Sequence, residues 1–247
     1  MNQQVKNLRV KIFADGADYD GIIKVSKHPV VKGFTTNPSL MRKAGVTDYE
    51  AFARKVLQAI TDRPVSLEVF ADDFPSMAAQ ARAIASWGKN VNVKIPVTDT
   101  KGKFAGELLR TLSAEGIVLN VTAIMTLDQV RAIADVLDPN TPSIISVFAG
   151  RIADTGVDPV PHMHACKKLL AGQPKAELLW ASPRELLNIF QADETGCGII
   201  TVTSDVLNKL DLVGKDLTEY SRETVQMFFK DATAAAYEIK TTRVAAE

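Results

Sequence analysis

Cysteine is scarce: the chain of 247 residues holds two, Cys166 and Cys197. That excludes a disulfide framework or a cysteine metal cluster, and suits free thiols in a reducing cytoplasm. Histidine is nearly as scarce, with His28, His162 and His164. His162-Met163-His164 could pair on one side of a strand, but a helix starting after Pro161 is the better reading. No carboxylate spacing completes a metal site, and we expect neither a metal nor another cofactor. An excess of one charge is also missing. Lys plus Arg and Asp plus Glu each number 29, so the formal net charge is zero. Nothing electrostatic argues for nucleic acid or a membrane surface as the main partner. No apolar run reaches membrane-spanning length, and the opening Met1-Asn2-Gln3-Gln4 has no signal-peptide core, so a cytoplasmic protein is expected. A glycine-rich nucleotide loop is absent after the first apolar segment: Asp15-Gly16-Ala17-Asp18 is not a G-x-G-x-x-G fingerprint.

What is present is regular. The apolar fraction of 46% and charged fraction of 23% are those of an ordinary globular chain. Short apolar segments alternate with longer amphipathic ones from end to end, the mark of βα units and a parallel sheet. The expected strands are Leu8 to Ala14, Gly33 to Thr35, Val65 to Val69, Val91 to Ile95, Ile117 to Val121, Ser143 to Val147, Glu177 to Ala181 and Gly198 to Val202. Helices are expected over Asp48 to Thr61, Ser76 to Gly88, Phe104 to Glu115, Leu127 to Leu137, Pro161 to Ala171, Ser182 to Ala192 and Ser204 to Lys209. A longer one runs from about Leu217 to Val244, with Val225, Phe228, Phe229 and Ala232 on one face. No composition break divides the chain, so residues 1–247 read as one domain. The alternative is an open doubly wound sheet. Eight evenly spaced units and the chain length favour an α/β fold closed into a (β/α)8 barrel with a C-terminal helical extension.

The stretch Val91-Asn92-Val93-Lys94-Ile95-Pro96-Val97 organises the functional reading. Period-2 alternation puts Val91, Val93 and Ile95 on one face and Asn92 and Lys94 on the other. A lysine pointing inward must lose its charge or find a partner, and a free amine there is a good nucleophile toward a carbonyl. The same residue at a strand end could equally snorkel to solvent. Alternation elsewhere tips the balance. Phe13 and Asp15 share a face, as do Ser66 and Glu68, Asn120 and Thr122, Ser146 and Phe148, and Trp180 and Ser182. Asp15, Glu68, Lys94, Asn120, Thr122 and Ser146 would then converge at the C-terminal mouth of the barrel, where barrel chemistry sits. One buried Asp or Asn is usually a satisfied core group. Two carboxylates, a lysine and several hydroxyls aimed at one end are costly to bury for packing alone.

Residue type sets the chemistry. Lys94 is the candidate nucleophile, Asp15 the group that holds or exchanges a proton as a carbon–carbon bond breaks, and Glu68 a general acid–base acting through a water fixed by Thr122. Arg151 beyond the sixth strand and Arg184 beyond the seventh lie where barrels hold phosphate.

These residues resemble the transaldolase family of class I aldolases over roughly Ile12 to Val202, in the family's order. The segments are Phe13-Ala14-Asp15, Thr35-Thr36-Asn37-Pro38-Ser39, Val65-Ser66-Leu67-Glu68-Val69, Val93-Lys94-Ile95-Pro96, Asn120-Val121-Thr122, Phe148-Ala149-Gly150-Arg151-Ile152 and Ala181-Ser182-Pro183-Arg184. The resemblance implies a (β/α)8 barrel with a Schiff-base lysine at Lys94, Asp15 as the proton-handling carboxylate, and Glu68 with Thr122 positioning a catalytic water. It implies Asn37, Asn120 and Ser146 at a dihydroxyacetone unit, and Arg151, Ser182 and Arg184 at a sugar phosphate. It also implies a homo-oligomer, in which the final helix either caps its own barrel or packs on a neighbour. Fructose 6-phosphate aldolases, in the same family, tend to carry glutamine in place of Glu68 and tyrosine in place of Phe148; both positions here side with the transferases. Gly16 and Pro183 depart from the family's usual threonine and large side chain.

Overall fold

The computed structural model describes residues 2–241. Eight parallel strands close into a barrel in chain order. They are β1 (Lys11–Asp15), β2 (Val31–Thr35), β3 (Val65–Glu68), β4 (Val91–Pro96), β5 (Leu119–Ile124), β6 (Ser143–Val147), β7 (Ala176–Trp180) and β8 (Ile199–Val202). The ring is closed by β1 pairing β8, with Phe13 opposite Thr201. The doubly wound alternative is thereby set aside.

Alternation along the strands makes two apolar cores. Ile12, Phe34, Leu67, Val93, Ile95, Val121, Ile145, Trp180 and Ile200 face outward into a continuous layer under the helices. Phe13, Ile144, Leu179, Ala181 and Ile199 fill the barrel itself, with Phe148 packed against them. One expectation is corrected here. Trp180 is fully buried in the outer core, while Leu179 of β7 and Ala181 just beyond its end face inward. The run Leu178-Leu179-Trp180-Ala181 is apolar throughout, so it has no polar alternation from which to read its phase.

β2 runs five residues rather than three. Its Gly33 sits opposite Phe13, whose ring leaves no space for a side chain: a Cβ built there would lie 2.5 Å from Phe13 Cζ. The glycine that weakens the strand pattern is the one that admits the barrel-filling ring.

Helices fall close to expectation, with shifted ends. Asp48 caps Tyr49–Ala59, Asp73 caps Phe74–Ala85, and Thr126 with Gln129 forms a capping box on Leu127–Ala134. The helix expected after Pro161 begins at Pro159, capped by Asp158. The one expected from Ser182 begins only at Leu187, because Ser182 adopts a left-handed φ of 57° that no helix accommodates. Short helices at Tyr19–Ser26, Pro38–Lys43 and Ala149–Asp154 were not anticipated.

The final helix is Leu217–Ala234, and none of its residues is buried. It therefore does not cap its own barrel. Leu217, Val225, Phe228 and Phe229 are each more than half exposed. Residues 242–244 of its expected extent lie outside the described residues.

Candidate active site

β4 carries Lys94 into the C-terminal end of the barrel, where it is 7% exposed. Its Nζ lies 2.9 Å from Glu68 Oε2 and donates to the Thr36 carbonyl at 2.8 Å. A buried ammonium must find partners or lose its proton; this one has found an acid on the neighbouring strand, in the register that sets Glu68 opposite Lys94. Thr36 lies just beyond the end of β2, so the amine stitches together three successive strands at the mouth.

Asp15 ends β1 on the same side. Thr35 Oγ1 donates to its Oδ1 at 2.8 Å, and Thr201 Oγ1 is 2.5 Å from the Thr35 hydroxyl. With Thr35's proton committed to the carboxylate, Thr201 donates to Thr35. Burial pushes the Asp15 carboxyl above its ordinary range, against the opposing pull of Lys94 and of the Thr35 hydrogen bond; the Glu68 charge adds to the rise. Thr35 and Thr201 were missed in the sequence, although the alternation rule applied to β2 and β8 would have found them.

Opposite, the Asn120 amide donates to Ser66 Oγ at 3.1 Å and accepts from Ser146 Oγ at 2.6 Å. This bridge across β3, β5 and β6 is buried, which holds the three polar side chains in one arrangement. Thr122 stands one residue before Ala123, whose φ is 62°. There the β5–β6 register breaks between Val121 and Ile124. Such a bulge re-aims the end of a strand, and a left-handed alanine costs about 1 kcal/mol or more.

Asn37 has a double position. It caps Pro38–Lys43, its side chain accepting from the Leu40 amide at 3.0 Å, and it also lines the cavity. Asp15, Asn37, Glu68, Lys94, Asn120, Thr122, Ser146, Phe148, Arg151 and Ser182 all line one cavity of about 350 Å³. That is the lower end of the range for small-molecule sites. Arg151 lies with its guanidinium 5.3 Å from the Phe148 ring centroid. Ser182 is placed by the turn after β7, and Gly150 packs directly on it: a Cβ on Gly150 would fall 1.5 Å from the Ser182 carbonyl oxygen. Ten of the eleven anticipated residues thus share one cavity. Arg184 does not line it. Its guanidinium is held by Asp154, with Nε 3.0 Å from Oδ1 and a second, shorter contact to Oδ2, and its backbone amide donates to Asn188.

The sequence matches the family described as transaldolase/fructose-6-phosphate aldolase over residues 12–247. The chain belongs to this family. It is 34% identical over 204 residues to a "Probable transaldolase" of Dehalococcoides mccartyi, covering 81% of this chain and 90% of that one. It is 36% identical over 202 residues to a "Probable transaldolase 2" of Listeria monocytogenes, covering 81% and 88%. Among solved structures it resembles a dihydrodipicolinate synthase from Rhodopseudomonas palustris with a TM-score of 0.55. That match covers 90% of this chain and 79% of that one at 15% identity, a likeness of fold alone.

Set in a transaldolase-family barrel, the geometry has a definite chemical capacity. A primary amine beside a carboxylate can pass a proton to it and add to a ketone. A second carboxyl, with its affinity for protons raised, faces the same space. Among the described residues no group of three or more His, Cys, Asp or Glu side chains is placed to hold a metal ion, and no helix is long and apolar enough to cross a membrane.

Proposed function

We propose that the protein is a transaldolase that moves a three-carbon dihydroxyacetone unit through a Schiff base on Lys94. Sedoheptulose 7-phosphate would be the donor and glyceraldehyde 3-phosphate the acceptor. The products are erythrose 4-phosphate and fructose 6-phosphate, in the non-oxidative pentose phosphate pathway. The observation that carries the reading is the buried Lys94 amine, 2.9 Å from Glu68 and open to the cavity that Asp15 also lines.

Lys94 passes one proton to Glu68 and attacks the donor ketone; the carbinolamine loses water and becomes an iminium ion. Asp15 as the carboxylate takes the proton of the hydroxyl on the fourth carbon. The bond between the third and fourth carbons then breaks, its electron pair flows into the iminium, and the aldose leaves. The enamine attacks the acceptor aldehyde, whose oxygen takes the proton back from Asp15. Water held by Glu68 and Thr122 adds to the iminium and releases the new ketose and the free amine. Asn37, Asn120 and Ser146 hold the hydroxyls of the three-carbon unit. Arg151, Ser182 and Arg184 face the phosphate, which requires Arg184 to exchange Asp154 for the substrate.

Borohydride reduction in the presence of fructose 6-phosphate, followed by peptide mass mapping, tests this. A three-carbon or hexose-phosphate adduct on Lys94 is expected; its absence, with a control aldolase trapped in parallel, ends the reading. The family description itself favours one second reading, a free aldolase. Release of dihydroxyacetone without any acceptor aldehyde would establish it. A sugar-phosphate binder without turnover is excluded by any catalysed exchange.

We further propose that the protein works in the cytoplasm as a homo-oligomer. The unburied apolar side chains of Leu217–Ala234 support association with a second copy. Two buried free thiols, pushed up to about 12 at Cys166 and about 11 at Cys197 by desolvation, suit a reducing compartment. A mass from light scattering tests the first, and fractionation of the cell tests the second.

A further inference from the structure

The hydrogen-bond ladder between β2 and β3 stops one step short of the site. Phe34 N donates to Pro64 O, and Thr36 N to Ser66 O at 3.3 Å. The next donor in the parallel alternation would be residue 38, aimed at Glu68 O. Residue 38 is a proline and has no N–H. A strand-end carbonyl left there without a donor would free the peptide that carries the Glu68 side chain.

The gap is filled from outside the barrel. Tyr49, the first residue of helix Tyr49–Ala59, donates its hydroxyl to Glu68 O at 3.0 Å. On the far side of the same peptide, Val69 N donates to Lys94 O at 3.1 Å. The peptide after Glu68 is therefore held at both ends, by Tyr49 and by the lysine strand. The phenol is itself fixed. Its ring centroid is 4.5 Å from that of Phe70 and 5.6 Å from that of Trp87. Burial raises its hydroxyl above the usual tyrosine range, so it remains a donor.

We propose that Tyr49 is a positioning residue for Glu68, its hydroxyl standing in for the strand-to-strand hydrogen bond that Pro38 denies. Tyr49 touches no substrate and acts through the angle at which Glu68 meets Lys94. This rests on Glu68 being the proton carrier for Lys94.

A double-mutant cycle tests it, using Tyr49→Phe, Glu68→Gln and the pair together in the full chain. The readout is the rate at which borohydride-trappable adduct forms on Lys94 with fructose 6-phosphate, which resolves fast and slow variants alike. Loss of one hydrogen bond corresponds to about a fivefold change. Tyr49→Phe is expected to slow adduct formation by about that factor, with KM within about twofold, and to change the rate by less than about twofold once Glu68 is Gln. An unchanged rate in Tyr49→Phe overturns the proposal. So does the same factor in both backgrounds, the result of a merely structural role. A wild-type protein that forms no adduct on Lys94 overturns instead the assignment of the nucleophile.

Discussion

Replacing Gly33 by alanine is a direct probe of how the barrel interior supports Asp15. Gly33 on β2 faces Phe13 on β1, and a Cβ there would lie 2.5 Å from Phe13 Cζ and 2.7 Å from each Cε. Carbon atoms in contact prefer about 3.5–4.0 Å, so the ring must retreat by roughly 1 Å. It has little room, being 2% exposed among Ile144, Leu179 and Ile199. Overpacking of this kind costs about 1–3 kcal/mol. Stiffening the unfolded chain by Gly→Ala returns about 0.4–1 kcal/mol. The steric cost wins, and a net loss of about 1–2 kcal/mol follows. In a chain of this length that is a Tm lower by about 2–8 °C. Circular dichroism through thermal and urea unfolding reads both quantities. Phe13→Leu creates space, so in the double variant the alanine should cost less than it does alone, the coupling expected of residues in contact. Because Phe13 is two residues before Asp15, turnover should fall with stability in Gly33→Ala and recover in part in the double variant. A Gly33→Ala protein as stable as the parent, or two effects that simply add, would refute the reasoning.

Three further outcomes are expected. Asp15→Asn should abolish turnover yet raise stability at neutral pH. The native pKa lies above its ordinary 3.8 because of burial, so the cost of ionising Asp15 is absent below 3.8 and grows as pH rises through the raised value; urea unfolding from pH 4 to pH 7 should therefore show a gap that opens in favour of the variant. Asp154→Asn should release Arg184 for phosphate. Exposed ion pairs are worth about 0.2–1 kcal/mol, so KM for a phosphorylated donor should drop by a factor of up to about five, with no change for free dihydroxyacetone as measured by initial rates. On the proposed association through the final helix, where both rings stand in solvent, Phe228→Glu with Phe229→Glu should lower the mass seen by light scattering; an unchanged mass would refute that contact.

The parts that were legible in the sequence are those in which burial and polarity alternate. β3, β4 and β5 each present one apolar face and one polar face, so Glu68, Lys94, Asn120 and Thr122 could be phased without coordinates. The phase failed at β7, where four successive apolar residues hide which pair points inward. Thr35 and Thr201 are in phase with the inward faces of β2 and β8, but hydroxyls on short strands look like ordinary surface or capping residues until Thr35 is seen bridging Asp15 and Thr201. Tyr49 escaped for a different reason: it heads a helix, and only the spatial register of Pro38 with Glu68 gives it a task. Arg184 was placed correctly along the chain beyond β7, but its ion pair with Asp154 joins residues 30 apart and leaves no pattern in either segment.

The two carboxyl groups at the mouth are made different by their neighbours rather than by residue type. Glu68 meets a cation directly, at 2.9 Å from Lys94, and its backbone is tied to the lysine strand. Asp15 meets a neutral hydroxyl pair, Thr35 backed by Thr201, and its burial raises its hold on a proton. An ammonium has three protons to place, and the structure gives Nζ two partners, Glu68 and the Thr36 carbonyl, leaving its third direction to the cavity it lines. A lysine kept only for packing would be better replaced by an apolar side chain, since desolvating an ion pair offsets most of what the pair gains. An amine with one direction free, a carboxylate able to relieve it of a proton, and a second carboxyl disposed to keep one are the groups on which the proposed covalent transfer rests. The energetic cost of burying these groups is what separates them from an ordinary core.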